Sequence, residues 1–356
     1  MSLNSAIEWT DATWNPIRAR PRPGEKLVGD PGWKSARPGG KPGWYCEHHS
    51  EGCRFCYAEV MNRRLGTGID FQRQNRDRVH IFLDDDMLLV PLKWRKPRMI
   101  FVCSMTDLFA DFVSDEWIDR VFAVMALCPQ HTFQVLTKRA ERMRAYFDKY
   151  DKGHKIIGIC WSMLGMMPKY NHGDILHRSW PLPNVWLGIS CERQQEADER
   201  IPLLLQTQAA VRFISAEPLL GPINLKRIKV ADLGWQDVLE GWRDCKDYPG
   251  RENILAWVIV GGESGPNARP MHPDWARSIR DQCAAAGVPF FFKQWGEHAP
   301  RWPGDRSDGV AMERVGKKRA GRLLDGREHN DFPVIDSSAP QRGSPSPESK
   351  TAEASA

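Results

Sequence analysis

The sequence predicts an α/β protein with a parallel sheet, and it favours a barrel over a doubly wound sheet. Six short apolar runs, rich in β-branched and aromatic residues, alternate with helical patterns along the chain. Near-continuous apolar runs are typical of strands that are buried on both faces, as parallel strands are. Each run ends in polar residues, and parallel barrels place their functional site at the carboxyl ends of the strands. Six such strand ends therefore favour the barrel.

The predicted strands and the polar clusters that follow them can be placed in order. The strands cover residues 99–102, 132–136, 185–189, 211–214, 257–260 and 289–292, and the clusters after them are CSMTD, TKR, SCE, SAEP, GGESG and KQWG. A weaker strand is predicted near residues 7–10. Because the carboxyl ends of parallel strands meet at one edge of a sheet, the polar side chains are expected to line a common site.

Helical patterns occupy several gaps between the strands. Ser114 suits an N-cap, and the acidic residues that follow it favour the start of a helix. The apolar residues on one face of this helix are Trp117, Val121, Val124, Met125 and Cys128. A second helix is predicted to begin near Pro273 and to end at Gly287.

The composition excludes several classes of protein. The chain has 356 residues, of which 41% are hydrophobic, and a net charge of +5. It has neither a basic segment followed by an apolar run at its start nor an apolar stretch of about 18 residues, so a cytoplasmic protein is expected. Nine cysteines, an odd number in a long chain, argue against a secreted disulfide framework. The thiols therefore remain for metal binding or catalysis.

Two segments depart from the alternation of strands and helices. Residues 18–44 are rich in Pro, Gly, Arg and Lys and predict an exposed basic loop, whereas residues 337–356 are rich in Ser, Pro, Ala and Glu and predict a disordered tail. The expected order is an N-terminal segment with the first strand, a basic insertion, the barrel, a C-terminal extension and the tail. Their boundaries are 1–17, 18–45, 46–296, 297–336 and 337–356.

The segment YCEHHSEGCRFCYA places Cys46, Cys53 and Cys56 in the spacing C-x6-C-x2-C. Two thiolates in a C-x2-C turn can bind one metal centre. A structural zinc ion requires four protein ligands, and His48 or His49 could supply the fourth. Three thiolates without a fourth ligand instead suit a [4Fe-4S] cluster whose remaining iron binds an exogenous ligand. The residues alone leave both centres open.

Strings distributed over most of the chain carry a resemblance to a known family. IEWTDATWNP, SEGCRFCYAE, NVWLGIS, WVIVGGESGPNARPM and VGKKRAGRLLDGRE lie between residues 7 and 333. They resemble radical S-adenosylmethionine (SAM) proteins, and more narrowly a phage- and prophage-associated family that is distantly similar to spore photoproduct lyase. The first gap of the cysteine motif is longer than in the usual radical SAM motif C-x3-C-x2-C.

The resemblance implies an α/β fold of the partial (β/α)6 TIM-like barrel of the radical SAM type, with parallel strands. It also implies that Cys46, Cys53 and Cys56 bind a [4Fe-4S] cluster, which chelates SAM and supplies the electron that cleaves it. The resulting 5'-deoxyadenosyl radical would abstract a hydrogen atom from a substrate. The residues expected to contact SAM are Phe55, Ser104, Lys138 and Ser190.

Charged residues at other strand ends are expected to face the same cavity. The predicted catalytic residues are Asp107, Glu217, Glu263 and Lys293. Arg139 and Glu192 are assigned to the same cavity wall. These residues share a position directly after a predicted strand, which assigns them to the site as a group without separating their roles.

The phage association and the similarity to a lyase imply a modified pyrimidine as substrate, such as a hypermodified thymidine in phage DNA. They also imply an electron donor such as flavodoxin or ferredoxin, and no membrane partner is expected. The basic segments RARPRPGEK and RVGKKRAGR could contact nucleic-acid phosphates. The alternative hypothesis is a zinc-stabilised phage nucleic-acid-binding protein without catalysis, in which the same cysteines are structural.

Overall fold

A parallel sheet forms the centre of the fold in this computed structural model, which describes residues 5–23, 42–149, 152–165, 179–231, 234–241, 254–301 and 311–334. Within these residues the sheet has seven strands, and their order in space is their order along the chain. The strands are β1 (Ala12–Trp14), β2 (Met99–Val102), β3 (Thr132–Thr137), β4 (Val185–Ser190), β5 (Val211–Ala216), β6 (Trp257–Gly261) and β7 (Phe290–Gln294).

The order of the strands distinguishes a barrel-like sheet from a doubly wound one. Neighbouring strands pair in parallel from β1 to β7, and every connection leads to the next strand in the same direction. A doubly wound sheet would reverse that direction at a switch point. The sheet curls into a half-barrel, and β1 and β7 do not pair with one another in the described residues. The prediction of a partial, TIM-like α/β fold with parallel strands is confirmed at this level.

The six predicted apolar runs are strands of this sheet, but the weaker strand predicted near residues 7–10 is wrong. This segment forms a turn in which the Thr10 N–H donates to the Ile7 carbonyl oxygen. The Trp9 side chain enters the interior of the half-barrel, where its ring centroid lies 4.7 Å from that of Phe101. The first strand begins at Ala12. The apolar residues before it therefore reflect packing inside the half-barrel and not strand pairing.

The two faces of the sheet have different partners. Alternate residues along a strand point to opposite faces, and the outward residues pack with the helices in one large apolar cluster. The largest inward side chains form a separate aromatic cluster that contains Trp9, Phe101, Trp186, Phe213, Trp257 and Phe291. Further along the same strands the inward residues become polar, as at Ser190, Ser215 and Lys293. The half-barrel therefore has an apolar interior and a polar carboxyl rim.

Helices fill the connections between the strands. The longer ones are α1 (Tyr57–Leu65), α2 (Asp115–Leu127), α3 (Ala140–Phe147), α4 (Lys152–Gly165), α5 (Gln194–Leu205) and α6 (Pro273–Ala286). Both predicted helices are confirmed. The Ser114 side chain caps α2 by accepting from the Trp117 N–H, and Gly287 ends α6 with a φ of 69°. In the described ranges no helix is long and apolar enough to cross a membrane.

The exposed basic loop predicted from residue 18 is wrong at its start. Residues Ile17–Pro21 form a strand that pairs antiparallel with Val79–Leu83. Arg18 is only 8% exposed, because its guanidinium stacks 4.7 Å from the ring centre of Trp44 and donates to backbone carbonyl oxygens. One arginine of this basic segment is therefore buried and makes its hydrogen bonds within the protein. Two predicted segments lie outside the described residues, namely the remainder of the loop at 24–41 and the tail at 337–356.

The C-terminal extension packs against the half-barrel. The ring of Phe332 lies 5.1 Å from that of Trp257 and 5.4 Å from that of Phe291, so it extends the interior aromatic cluster. Before it lies the short helix Lys317–Ala320. The antiparallel pairs outside the main sheet include Ile228–Val230 with Gly234–Gln236 and His298–Pro300 with Met312–Arg314.

Gly188 on β4 makes room for a neighbouring aromatic ring. A Cβ at this position would lie 2.5 Å from Cε2 of Phe213. We expect Gly188→Ala to lower the free energy of unfolding by about 1–3 kcal/mol, because the ring must leave its packed position. Urea unfolding followed by circular dichroism measures the change.

A matched glycine in α4 provides the control. Gly158 is exposed, and a Cβ there would meet no atom within 4 Å. Gly158→Ala is expected to raise the free energy of unfolding by about 0.5–1 kcal/mol, since alanine is the better helix former. Equal effects of the two substitutions would contradict the packing argument.

Candidate functional site

The loop that carries the predicted metal ligands lies at the carboxyl rim of the sheet. In this cysteine loop, residues 46–56, Cys53 ends the 3-10 helix Glu51–Cys53 and Cys56 is the N-cap of α1. Cys46 experiences the charges of Cys53 and Cys56, and also that of Asp107 at the end of β2. The loop therefore brings the three thiols into one electrostatic environment beside the strand ends.

Burial changes the pKa values of two of these thiols, Cys46 and Cys56. It raises the pKa of the Cys46 thiol, and the charges of Asp107 and of the two neighbouring thiols raise it further. Burial also raises the pKa of Cys56, although N–H groups in the first turn of α1 oppose this increase. The Cys53 sulfur accepts a hydrogen bond of 3.5 Å from the His49 N–H. Cations that bind here would have to displace thiol protons, as metal binding to cysteine does in general.

The two histidines of the loop, His48 and His49, interact with residues outside the group of three cysteines. His48 Nε2 lies 3.4 Å from the carboxylate of Glu59 on α1. Burial lowers the pKa of His49, and the charge of Arg139 lowers it further. In the part of the chain that the structure describes, no group of three or more His, Cys, Asp or Glu residues is arranged to hold a metal ion.

Glu192, at the end of β4, is the buried centre of an ion-pair network. Its carboxylate is 0% exposed and pairs with Lys138 and, at 3.1 Å, with Arg200 of α5. It also accepts a hydrogen bond of 3.0 Å from the Ser50 hydroxyl in the cysteine loop. A Cβ at Gly52 would lie only 2.5 Å from Glu192 Oε1, so the loop crosses this strand end in close contact. Glu192 therefore connects the cysteine loop to Lys138.

Lys138, at the end of β3, places a positive charge beside the thiols. Burial lowers the pKa of Lys138, and the neighbouring Cys53 and Cys56 partly oppose this decrease. Lys138 in turn opposes part of the increase that burial causes in the pKa of Cys56. Its ammonium group can therefore stabilise thiolates in the loop as well as a carboxylate at the rim.

Asp107, at the end of β2, fixes a second point of the loop. It accepts hydrogen bonds from the Thr137 hydroxyl at 2.7 Å and from the Arg139 guanidinium at 3.0 Å. Arg139 also donates to the Glu47 carbonyl oxygen of the loop at 3.1 Å. Burial lowers the pKa of Arg139, but the charges of Asp107 and Cys46 raise it above its ordinary value. The Asp107–Arg139 pair thus holds the backbone next to Cys46.

Arg269 fixes a third point of the loop and is not among the residues that the sequence predicts. It binds Glu263, at the end of β6, at 2.7 Å and Glu51 of the loop at 2.9 Å. Its guanidinium also lies 5.3 Å from the ring centre of Phe55. The sequence signal for Arg269 was its position six residues after Glu263, a spacing at which a loop can bring a cation back to the carboxylate at the strand end. Arg269 therefore holds both the loop and the aromatic ring predicted to lie near adenine.

The two predicted serines both lie at the rim, in different surroundings. The Ser104 hydroxyl accepts a hydrogen bond of 3.1 Å from Asn15 Nδ2. The Ser104 carbonyl oxygen accepts a hydrogen bond of 2.7 Å from the Tyr57 hydroxyl. Cys103 before it has a φ of 56°, a left-handed conformation that costs about 1–3 kcal/mol in a residue with a Cβ. Ser190 is a buried inward residue at the end of β4. The sequence predicts neither Asn15 nor Tyr57 as part of the site.

Glu217 and Lys293 form an ion pair at the same rim. Lys293 Nζ, on β7, lies 2.5 Å from Glu217 Oε1, which follows β5. Gly261 at the end of β6 leaves space beside the pair, since a Cβ there would lie 3.2 Å from Glu217 Cδ. Tyr57, the first residue of α1 after Cys56, is 47% exposed, and its hydroxyl donates to the Ser104 carbonyl oxygen at this rim.

Comparison with known proteins gives one match. A family model described as "Protein of unknown function (DUF5131)" matches residues 40–333. The comparisons with curated proteins and with solved structures yield no match. The matched region includes the cysteine loop and β2 to β7.

The buried network around Glu192 can be tested by removing its centre. Glu192→Ala leaves Lys138 and Arg200 without their shared carboxylate, and we expect the free energy of unfolding to fall by about 3–5 kcal/mol. Urea unfolding measures the change. The control is Glu199→Gln, at an exposed position on α5, with an expected change within about 0.5 kcal/mol. A Glu192→Ala protein as stable as this control would show that the network does not hold the rim.

Proposed function

We propose that this chain, which belongs to the DUF5131 family, is a radical SAM enzyme. In this proposal Cys46, Cys53 and Cys56 bind a [4Fe-4S] cluster, and Lys138 helps to bind SAM. The observation that supports it most is the position of one loop with three cysteines at the carboxyl rim of a parallel half-barrel, where Glu192 binds both the loop and Lys138. Parallel α/β folds bind their ligands at this edge.

The donor set fits the proposed cluster. Each thiolate of a [4Fe-4S] cluster binds a different iron, so the sulfurs need not converge on one point as the ligands of a zinc ion do. This agrees with a loop that, in the described residues, has no group arranged around a single ion. The zinc alternative requires a fourth ligand, and His48 already faces Glu59. When bound, the cluster and SAM would together supply the electron and the carbon radical that abstracts a substrate hydrogen atom.

Lys138 and Glu192 have complementary tasks in this proposal. A SAM carboxylate would pair with the ammonium group of Lys138, whose side chain is 19% exposed. Glu192 holds that ammonium from the buried side and holds the loop through Ser50. The hydroxyl of Ser190 lies at the end of the neighbouring strand, where it can bind a polar group of SAM. Arg269 would keep Phe55 in place for contact with adenine.

The interior of the half-barrel supplies the other requirements of radical chemistry. Its aromatic cluster excludes water beneath the rim, which protects a reactive intermediate from side reactions. The Glu217–Lys293 pair lies above this cluster and offers a carboxylate and an ammonium group to a substrate. Asp107 and Glu263, predicted as catalytic, are both bound to arginines that hold the loop. We assign these two residues a positioning role and leave substrate contact to Glu217 and Lys293.

The proposed substrate is a modified pyrimidine nucleotide, in DNA or free, and the proposed electron donor is a protein of the flavodoxin or ferredoxin type. Basic residues of the C-terminal extension near Lys293 support a polyanionic substrate. They include Lys317, Lys318 and Arg322.

The cluster ligands are tested by substituting one cysteine inside the loop and one outside it. After anaerobic reconstitution with iron and sulfide, Cys53→Ala is expected to lose nearly all cluster iron while its circular dichroism spectrum remains that of the unchanged protein. The control is Cys283→Ala on α6, a buried cysteine remote from the loop in sequence and packed in the outer core, which should retain its iron.

Two results would contradict this assignment. Iron contents that are equal in Cys53→Ala and Cys283→Ala would exclude Cys53 as a ligand. Global unfolding of Cys53→Ala, together with one tightly bound zinc ion in the unchanged protein, would favour the structural-metal alternative.

Lys138→Gln tests SAM binding. Loss of a charge-assisted contact is expected to weaken SAM binding by about tenfold or more at unchanged iron content. Equilibrium dialysis of the reconstituted protein with labelled SAM measures the affinity. The control is Lys229→Gln, an exposed lysine in the antiparallel pair Ile228–Val230 and Gly234–Gln236, which should bind SAM normally. Unchanged SAM affinity in Lys138→Gln would remove Lys138 from the proposed site.

A further inference from the structure

A cavity of about 380 Å³ lies beside the end of β7 and is lined by residues from three separate parts of the chain. Lys293 and Gln294 come from β7, Glu8 from the N-terminal turn, and Lys317, Lys318 and Arg322 from the C-terminal extension. The sequence motif RVGKKRAGR thus joins β7 in forming an open, concave surface. The cavity adjoins the rim of the half-barrel, because Lys293 belongs to both.

The cavity lining carries a net positive charge. Four of its residues are cationic, Lys293, Lys317, Lys318 and Arg322, and one, Glu8, is acidic. Lys317 pairs with Glu8 at 3.6 Å and Lys293 pairs with Glu217 at 2.5 Å. Arg322 lies 3.7 Å from Glu328, and Lys318 is exposed. A concave surface lined by one sign of charge concentrates ligands of the opposite sign. The cavity therefore suits an anion.

The same cavity also has polar atoms whose hydrogen-bonding capacity is unused in the described residues. Gln294 is 5% exposed and its Oε1 is buried without a hydrogen-bond partner. The Oε2 of Glu8 and the Nε of Arg322 are in the same condition. Buried polar atoms are nearly always paired, so unpaired atoms around one cavity point to a ligand or to ordered water. Two of these atoms are acceptors, so the ligand should carry hydrogen-bond donors as well as negative charge.

The cavity is connected to the proposed reaction site through a short series of side chains. Lys293 binds Glu217 at 2.5 Å. Lys293 thus belongs both to the cavity lining and to the ion pair at the rim. A ligand anchored in the cavity could therefore extend past Lys293 toward the rim.

We propose that this cavity binds a phosphate group of a nucleotide substrate, together with a neighbouring hydroxyl or amide donor. Lys317, Lys318 and Arg322 bind the phosphate, and Gln294 and Glu8 accept hydrogen bonds from the donor. The inference rests on the proposed function in one respect: the ligand that the cavity binds is taken to be the substrate of the enzyme site at the rim. The phosphate can belong to a free nucleotide or to a strand of nucleic acid.

The test compares ligands that differ only in phosphate. Binding of thymidine, thymidine 5'-monophosphate and a short fluorescein-labelled oligothymidylate to the full-length reconstituted protein is measured by calorimetry and fluorescence anisotropy. We expect thymidine 5'-monophosphate to bind about tenfold more tightly than thymidine, and Lys318→Glu to abolish this preference. The preference should also fall as salt concentration rises.

A matched variant and a separate readout complete the design. Lys226→Glu changes an exposed lysine at another basic hollow, lined by Arg277 and Arg280, and should retain the preference. Competition by thymidine 5'-monophosphate against the oligothymidylate identifies a free nucleotide as sufficient, whereas binding of the oligothymidylate alone identifies a phosphodiester strand. Either result supports phosphate binding if the Lys318→Glu substitution abolishes the observed ligand binding.

The outcomes separate this inference from the proposed function. Equal affinities for thymidine and its monophosphate, with no oligothymidylate binding that depends on Lys318, would overturn the phosphate site even if the preparation cleaves SAM. Phosphate-selective binding in a preparation that holds zinc and forms no 5'-deoxyadenosine would leave the phosphate site standing and overturn the radical SAM proposal.

Discussion

Carboxylates at the ends of three strands hold the cysteine loop over the half-barrel. Asp107 acts through Arg139 on the Glu47 carbonyl oxygen. Glu192 binds Ser50 directly, and Glu263 acts through Arg269 on Glu51. Each anchor depends on the order of the sheet, because parallel strands that follow one another in space bring their carboxyl ends to one rim. A loop of irregular backbone thereby gains a fixed position that its own hydrogen bonds would not give it.

The burial of these charges explains why the anchors are strong and specific. An isolated carboxylate away from water is very unfavourable, and pairing offsets that cost only where the geometry is close. Glu192 meets this condition with two cations and a hydroxyl group. Loop and barrel consequently stabilise one another, since displacement of the loop would leave buried charges with fewer partners. The same coupling transmits the position of the strand ends to the thiols and to Phe55.

Much of the fold could be predicted because its signals are local. Continuous apolar runs with polar ends identified β2 to β7, and a serine cap and a glycine stop identified the ends of α2 and α6. The first strand was misplaced because Trp9 is apolar for a different reason, namely packing inside the half-barrel. Arg18 was assigned to an exposed loop because composition does not reveal stacking on Trp44. Both errors concern contacts between segments distant in the chain.

The candidate site shows the same division between local and long-range information. Position after a strand was enough to select Asp107, Glu192, Glu217, Glu263 and Lys293 as a group. It could not reveal that Asp107 binds Arg139 or that Glu217 binds Lys293, because these pairs join the ends of different strands. It also did not select Arg269, whose only local signal is its position six residues after Glu263. The most direct test of the account is to assay 5'-deoxyadenosine formation from SAM by the anaerobically reconstituted and reduced protein. The account predicts a brown protein that forms 5'-deoxyadenosine in an amount comparable to its cluster content. A colourless, zinc-containing protein that leaves SAM intact would contradict it.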